Sequence, residues 1–297
     1  MHVLGVGIAT LDIINSVDGY PDEDDEVRAL SQRRCRGGNA TNTLSVLSSL
    51  GHDCSWAGVL PADPESREVE AMLLASGIDL SRVRRLDEGR LPTSCITLNE
   101  RNGSRTIVHY RELPEYRAEW FADIDLRPFD WVHFEGREPE QLGPMLRQAR
   151  EAGKRISLEI EKPRAEIESL FGLPHVLLFS RHYARAHGFD SAARFLQSLR
   201  ASSSAVLPLC FCTWGDAGAW ALMPDDLLYH QPAFEVPRVV DTVGAGDVFN
   251  AAVIDALLAD GDVRRAMRRG CRLAASKCAR IGLENLAMAD MMQPGEG

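Results

Sequence analysis

Lysine is almost missing from this chain. Only three occur (154, 162 and 277), and none stands in a G-x-x-x-x-G-K-[ST] stretch, which excludes a P-loop nucleotide site. The seven cysteines (35, 54, 95, 210, 212, 271 and 278) include no C-x-x-C pair and are odd in number, so neither a zinc site nor a disulfide framework is indicated. Cys210 and Cys212 alternate along "PLCFCTW" and read as small apolar strand residues. The longest apolar runs, "HVLLFS" (175–180) and "AAVIDALL" (251–258), fall far short of the roughly 18 to 20 residues of a membrane span. "MHVLGVGIATLD" has no basic segment or small-residue cleavage site of a signal peptide, so a cytoplasmic protein is expected. Without a secretory route, the sequons at Asn39 and Asn102 carry no meaning. Clustered positive charge is also lacking: the net charge is −10 and the arginines are dispersed, which argues against nucleic acid as a partner.

What is present is a rhythm. Short β-branched runs ("HVLGVGI", "CSWAGVL", "WVHFEG", "RISLEI", "HVLLFS") alternate with helical patterns ("NATNTLSVLSSLG", "SREVEAMLLASG", "PEQLGPMLRQAREAG", "SAARFLQSLRASS"). That alternation predicts an α/β fold with a mostly parallel sheet and helices on both faces. Two segments break it, 12–38 and 93–112. The second predicts a hairpin around Asn102-Gly103, a dipeptide suited to a tight turn. Both read as a small β-rich lid over a body made of 1–11, 39–92 and 113–297. The tail after about Leu286, "AMADMMQPGEG", reads as loose.

Four glycine-rich turns could carry chemistry. "GVGIATLD" has Thr10 where the third glycine of a dinucleotide fingerprint belongs, a weak partial match. "CRGGNATNTLSVL" sets Gly37-Gly38 before an amphipathic helix, with Asn39 and Asn42 three apart; paired amides offer donors and acceptors to a polyol, though an Asn there also reads as a helix cap. "CTWGDAGAWAL" sets Thr213, Gly215 and Gly218 in a tight turn after a strand, which alone could be an ordinary hairpin. "DTVGAGDVFNAAVIDALLADG" combines a glycine turn with a helix start, an arrangement that gathers backbone N–H groups into an anion site. Asp247, at the start of that helix, reads either as a proton acceptor for an attacking hydroxyl or as a capping aspartate.

Together these stretches resemble the PfkB (ribokinase-like) family of carbohydrate kinases, from about Val3 to Leu286. "RGGNATN" looks like its N-terminal signature, "TWGDAG" its nucleotide-side turn and "DTVGAGD" its C-terminal signature. Within the family, "LDIINSVDGYPDEDDEVRALSQRRCRGGNATN", "NGSRTIV", "HFEGR", "EIEKPR" and "PRVVDTVGAGDVFNA" are most similar to the ketohexokinase branch, which makes fructose 1-phosphate. The resemblance implies a ribokinase-like fold, ATP and magnesium as cofactors, and phosphorylation of a small sugar. It puts Asp12, Gly38, Asn39 and Asn42 on sugar hydroxyls and makes Asp247 the catalytic base. Gly244, Ala245 and Gly246 would form the anion hole, with Arg105 touching the transferred phosphate. Thr213, Gly215, Asp216, Ala217, Gly218, Gly244, Gly246 and Cys278 would line the ATP site. Glu135 and Arg137 would lie near the reaction centre. Asp24 would reach the sugar site of a partner subunit in a homodimer clasped through the lids. The N-x-x-E motif that many members tie to magnesium is replaced by Ser180-Arg181-His182-Tyr183, as in ketohexokinases, leaving the metal's protein ligands unassigned. Kinases for ribose, tagatose or adenosine, or a non-catalytic sugar or nucleotide sensor, are the alternatives.

Overall fold

The structure is a computed structural model that describes residues 1–202, 207–284 and 286; most of the tail expected to be loose lies outside them. The first half of the chain contains β1 (His2–Val6), β2 (Thr10–Val17), β3 (Ser31–Gly37), α1 (Asn39–Ser49), β4 (Asp53–Ala57), β5 (Val59–Pro61) and α2 (Pro64–Ala75). It continues through β6 (Ile78–Asp79), β7 (Arg84–Leu86), β8 (Thr93–Asn99), β9 (Arg105–Tyr110) and α3 (Ala118–Ala122). The second half contains β10 (Trp131–Glu135), α4 (Pro139–Glu151), β11 (Arg155–Ile160), β12 (Val176–Phe179), α5 (Arg181–Ala186) and α6 (Ala192–Ser202). It ends with β13 (Leu209–Thr213), β14 (Ala219–Leu222), β15 (Leu228–Gln231), α7 (Ala245–Ala259) and α8 (Val263–Cys278).

The main sheet has the order β15-β14-β13-β12-β11-β10-β1-β4-β6. Every pairing is parallel except the two that join β13, β14 and β15. Its strands are apolar on both faces because helices cover both. On β12, Leu177 and Phe179 enter one core while Val176 and Leu178 enter the other. Cys210 and Cys212 of β13 lie in the first of these cores, as strand packing residues should.

A separate four-stranded sheet, β3-β2-β8-β9, is built from the segments that broke the rhythm. β8 and β9 pair antiparallel around a turn where Gly103 takes φ 69°, a left-handed conformation that glycine adopts without a Cβ penalty. Ile14, Ile96 and Leu98 form its small core, and β9 is exposed along its whole length.

Candidate active site

After β1 the chain turns one way to β4 and β6; after β10 it proceeds the other way through β11, β12 and β13. β1 and β10 are neighbours, so the winding reverses between them, and a crevice opens beyond their carboxyl ends, where open α/β sheets bind ligands. Glu135 closes β10 there. Its Oε2 accepts from the Ile8 N–H at 3.1 Å, just past β1, and its Oε1 accepts from Arg137 Nη1 at 3.0 Å. Arg137 Nε also donates to Glu115 Oε1 at 2.6 Å. Burial raises the Glu135 carboxyl above its ordinary value, outweighing the Arg137 charge.

Asp247 is the third residue of α7 and is buried. It does not cap the helix: Gly244 holds the N-cap position with φ 81° and no side-chain cap bond forms. Asp247 Oδ2 instead accepts from Asn42 Nδ2 at 2.8 Å, and Asn42 Oδ1 accepts from Arg36 Nη1 at 2.8 Å. Burial drives the Asp247 carboxyl well above 3.8; Asn42 opposes this, Glu161 and Glu135 reinforce it, and Arg36 opposes it. A raised proton affinity suits a group that must take a proton near neutral pH.

The glycine turn has free donors. Among the described residues, no acceptor pairs with the N–H groups of Gly244, Gly246 or Asp247, which belong to the turn and the first turn of the helix. A Cβ on Gly246 would meet nothing within 4 Å, so the backbone there faces open space of the kind a phosphate needs. Lys277, fully buried, braces this turn: its Nζ donates to the Asp241 carbonyl at 2.9 Å and pairs with Asp241 Oδ2 at 3.1 Å. Two strands of the smaller sheet also reach the turn. Arg33 Nη2 of β3 meets Asp241 Oδ2 at 2.8 Å, and Arg105 of β9 donates to Thr242 Oγ1 at 2.8 Å.

On the opposite side, Gly38 caps α1 with φ 107°, and a Cβ there would lie 2.1 Å from the Ile8 carbonyl oxygen. The helix thus starts at Asn39, whose side chain is not the cap. Asn39 Nδ2 donates to Glu159 Oε1 at 3.2 Å and Glu161 Oε2 at 3.3 Å. Asp12 sits mid-lid, opposite Cys35 on β3 and Ser94 on β8, and accepts from Thr10 Oγ1 at 2.8 Å. Burial raises its carboxyl, with Thr10 and Ser94 opposing. Asp24 stands apart: it is exposed, has φ 64°, and bonds to no other site residue among those described.

The Thr213–Gly218 turn is the connection of a hairpin, since Thr213 pairs with Ala219, and Gly215, Asp216 and Ala217 form one 3₁₀ turn within it. Cys278, at the end of α8, accepts through its carbonyl from the Val240 N–H at 2.8 Å, tying α8 to the strand-like approach to the glycine turn. In the Ser180-Arg181-His182-Tyr183 stretch, Ser180 caps α5 by accepting from the Tyr183 N–H at 3.0 Å and donates to the Glu161 carbonyl at 2.6 Å.

Several site residues escape sequence reasoning. Glu159 of β11 is buried; its Oε1 accepts from Asn39 and from Asn250 Nδ2 at 3.2 Å, and its Oε2 has no partner among the described residues. Burial and the neighbouring Asp247 push its carboxyl well above 4.5. Its one available signal was position: "EIE" ends a parallel strand, where ligand-facing groups collect. Arg36, Arg33 and Lys277 gave no local signal, because their partners are supplied by distant segments.

Comparison with known proteins accords with this geometry. The family model of pfkB family carbohydrate kinases matches residues 2–289. Ketohexokinase of Mus musculus is 42% identical over 296 residues, covering 96% of this chain and 98% of the relative. ATP-dependent ribose-1-phosphate kinase of Halopiger xanaduensis is 27% identical over 299 residues, covering 98% and 96%. Among solved structures, Arabidopsis thaliana ribokinase complexed with ribose and ATP superposes with a TM-score of 0.75 at 17% identity, over 94% of this chain and 93% of the other, a likeness of fold. An α/β sheet with its switch point beside a free-amide glycine turn and a buried aspartate, matched along nearly its full length by the family model, places this chain in the pfkB family of carbohydrate kinases.

Proposed function

We propose that this kinase transfers the γ-phosphoryl group of ATP to a hydroxyl of a ketohexose, converting fructose to fructose 1-phosphate. The observation that carries the acceptor is the likeness to mouse ketohexokinase, well above that to the ribose-1-phosphate kinase. For the chemistry, buried Asp247 beside free amides is the support. Asp12, Gly38, Asn39 and Asn42 hold the sugar. Its reacting hydroxyl attacks the γ-phosphorus, the hydroxyl proton passes to the Asp247 carboxylate, and the bond from phosphorus to the ADP oxygen breaks as ADP leaves. The amides of Gly244 and Gly246, free where that of Ala245 donates to the Thr242 carbonyl at 3.3 Å, hold with Arg105 the charge on the moving group. ATP lies between that turn and the Thr213–Gly218 turn, with Cys278 nearby. No trio of His, Cys, Asp or Glu among the described residues is spaced to hold a metal ion, so the protein ligands of magnesium stay unassigned; bound with the nucleotide, it would supply positive charge to offset that of the phosphates.

Two copies pair through the lids, with Asp24 of each reaching the other's sugar. Support comes from β9, an edge strand that exposes Ile107, Val108 and Tyr110 and carries unpaired backbone groups. The test of function is coupled ADP release with fructose, tagatose, ribose, adenosine and sugar phosphates. Fructose should give the highest kcat/KM; a higher value with ribose or adenosine would reject the ketohexose reading, and no turnover with any acceptor would favour a sensor.

A further inference from the structure

Arg36 is the last but one residue of β3, yet its guanidinium donates across to Asn42 on α1. Asn42 spans the 2.8 Å contacts from Arg36 to its carbonyl and from its NH₂ to Asp247 Oδ2. The order of atoms in this relay follows from chemistry. A guanidinium only donates and a carboxylate only accepts, so an amide between them has one workable orientation. Turned over, it would set NH₂ against the guanidinium and its carbonyl against the carboxylate.

We infer that Arg36 is a positioning residue for phosphoryl transfer: through Asn42 it dictates that an N–H, and not a carbonyl, faces Asp247, and so holds that residue in the ionised form able to accept a proton. The inference rests on the reading of Asp247 as the base. Without Arg36 the amide is free to rotate, present its carbonyl to Asp247, and accept from a protonated carboxyl, the form that cannot act as a base.

The charges around the relay make this selection matter. Glu135 at the end of β10, together with Glu159 and Glu161 at the end of β11, faces Asp247, and all three disfavour a further negative charge. Arg36 is the cation that opposes them at Asp247, while Asp12, Cys35 and Glu284 face Arg36 itself. Asn42 and Arg36 both favour the ionised base, and one depends on the other for its orientation.

The test measures kcat and KM against pH for the unmodified enzyme, Arg36→Met, Arg36→Gln and Asp247→Asn, using fructose and ADP release. Arg36→Met should move the acid limb of the kcat profile upward by about one pH unit, an about tenfold loss below the midpoint that recovers at high pH. Arg36→Gln, which keeps a donor without charge, should shift it less. An acid limb unmoved in both variants, whatever the drop in maximal kcat, would overturn the inference and leave Arg36 a purely structural residue. Asp247→Asn keeps the two failures apart. Substantial turnover in that variant rejects the base itself, whereas a dead Asp247→Asn with an unmoved Arg36 profile rejects only the relay. Should Arg36→Met fail to fold, the acid limb of Arg36→Gln decides alone: an upward shift supports the relay and an unmoved limb overturns it.

Discussion

Lys277 and Asp241 form an ion pair sealed from solvent. The ammonium lies 3.1 Å from Asp241 Oδ2 and 2.9 Å from the Asp241 carbonyl, with the Arg280 carbonyl at 3.3 Å. Burial favours the neutral form of both groups. At Asp241 the Lys277 charge, the Val243 N–H and Arg33 outweigh it and hold the carboxyl below 3.8; at Lys277 burial prevails over Asp241 and draws the ammonium below 10.5. Three oxygens around Nζ favour the charged pair, since a neutral amine would leave Asp241 with the Arg33 charge and the Val243 and Gly282 N–H groups. Removing one member of such a pair strands the other charge. Lys277→Met should therefore cost about 3 to 5 kcal/mol in denaturant unfolding. A loss below about 1 kcal/mol would mean that the pair is not what holds the turn.

Asp247→Asn preserves shape and the contact with Asn42 but removes the proton acceptor. Turnover should fall by about 10² to 10⁴ while ATP affinity, measured by calorimetry, changes little. A near-normal kcat would end the assignment of Asp247 as base.

Two glycines should respond in opposite ways to alanine. Gly38→Ala brings a methyl group to 2.1 Å from the Ile8 carbonyl oxygen at φ 107°, so its melting temperature should drop. Gly246→Ala meets no neighbour and replaces glycine by a better helix former, so its melting temperature should hold while KM for ATP rises. Equal melting losses in both would refute this division between structural and site glycines.

Glu159 carries a pH signature in stability. Its proton affinity is raised on folding, so its favourable contribution is complete below the unfolded value near 4.5 and is lost as pH climbs toward the folded one. Glu159→Gln removes that loss. The variant should be more stable than the parent at pH 8, by about 1 to 3 kcal/mol, with the gap closing toward pH 4. A gap of constant size across this range would show that Glu159 does not titrate between folded and unfolded states.

The proposed pairing through the exposed β9 edge implies a dimer sensitive to charge. Val108→Lys, at a position 70% exposed, should shift the light-scattering mass toward the monomer without lowering the melting temperature of the subunit. An unchanged dimer mass would move the interface off β9.

How much of this was legible beforehand depended on the range of the interaction. The strand and helix rhythm, the hairpin at Asn102-Gly103 and the glycine turns are encoded by neighbours in sequence, because period, turn chemistry and N–H geometry act over a few residues. The choice between base and cap for Asp247 was not local: Gly244 took the cap, and Asn42, 205 positions away, took the carboxylate. Glu159 read as part of a strand until Asn39 and Asn250 converged on it.

The sequence alone determined the α/β class and one aspartate placed after a glycine turn, because those features rest on short-range periodicity and on residue types that only a few backbones accept; kinase chemistry came from the resemblance of whole motifs to a family. Tertiary structure decided the protonation setting of that aspartate. Charge and desolvation act through space, and Arg36, Asn42, Glu135, Glu159 and Glu161 act on Asp247 from β3, α1 and the ends of β10 and β11, which only folding brings together.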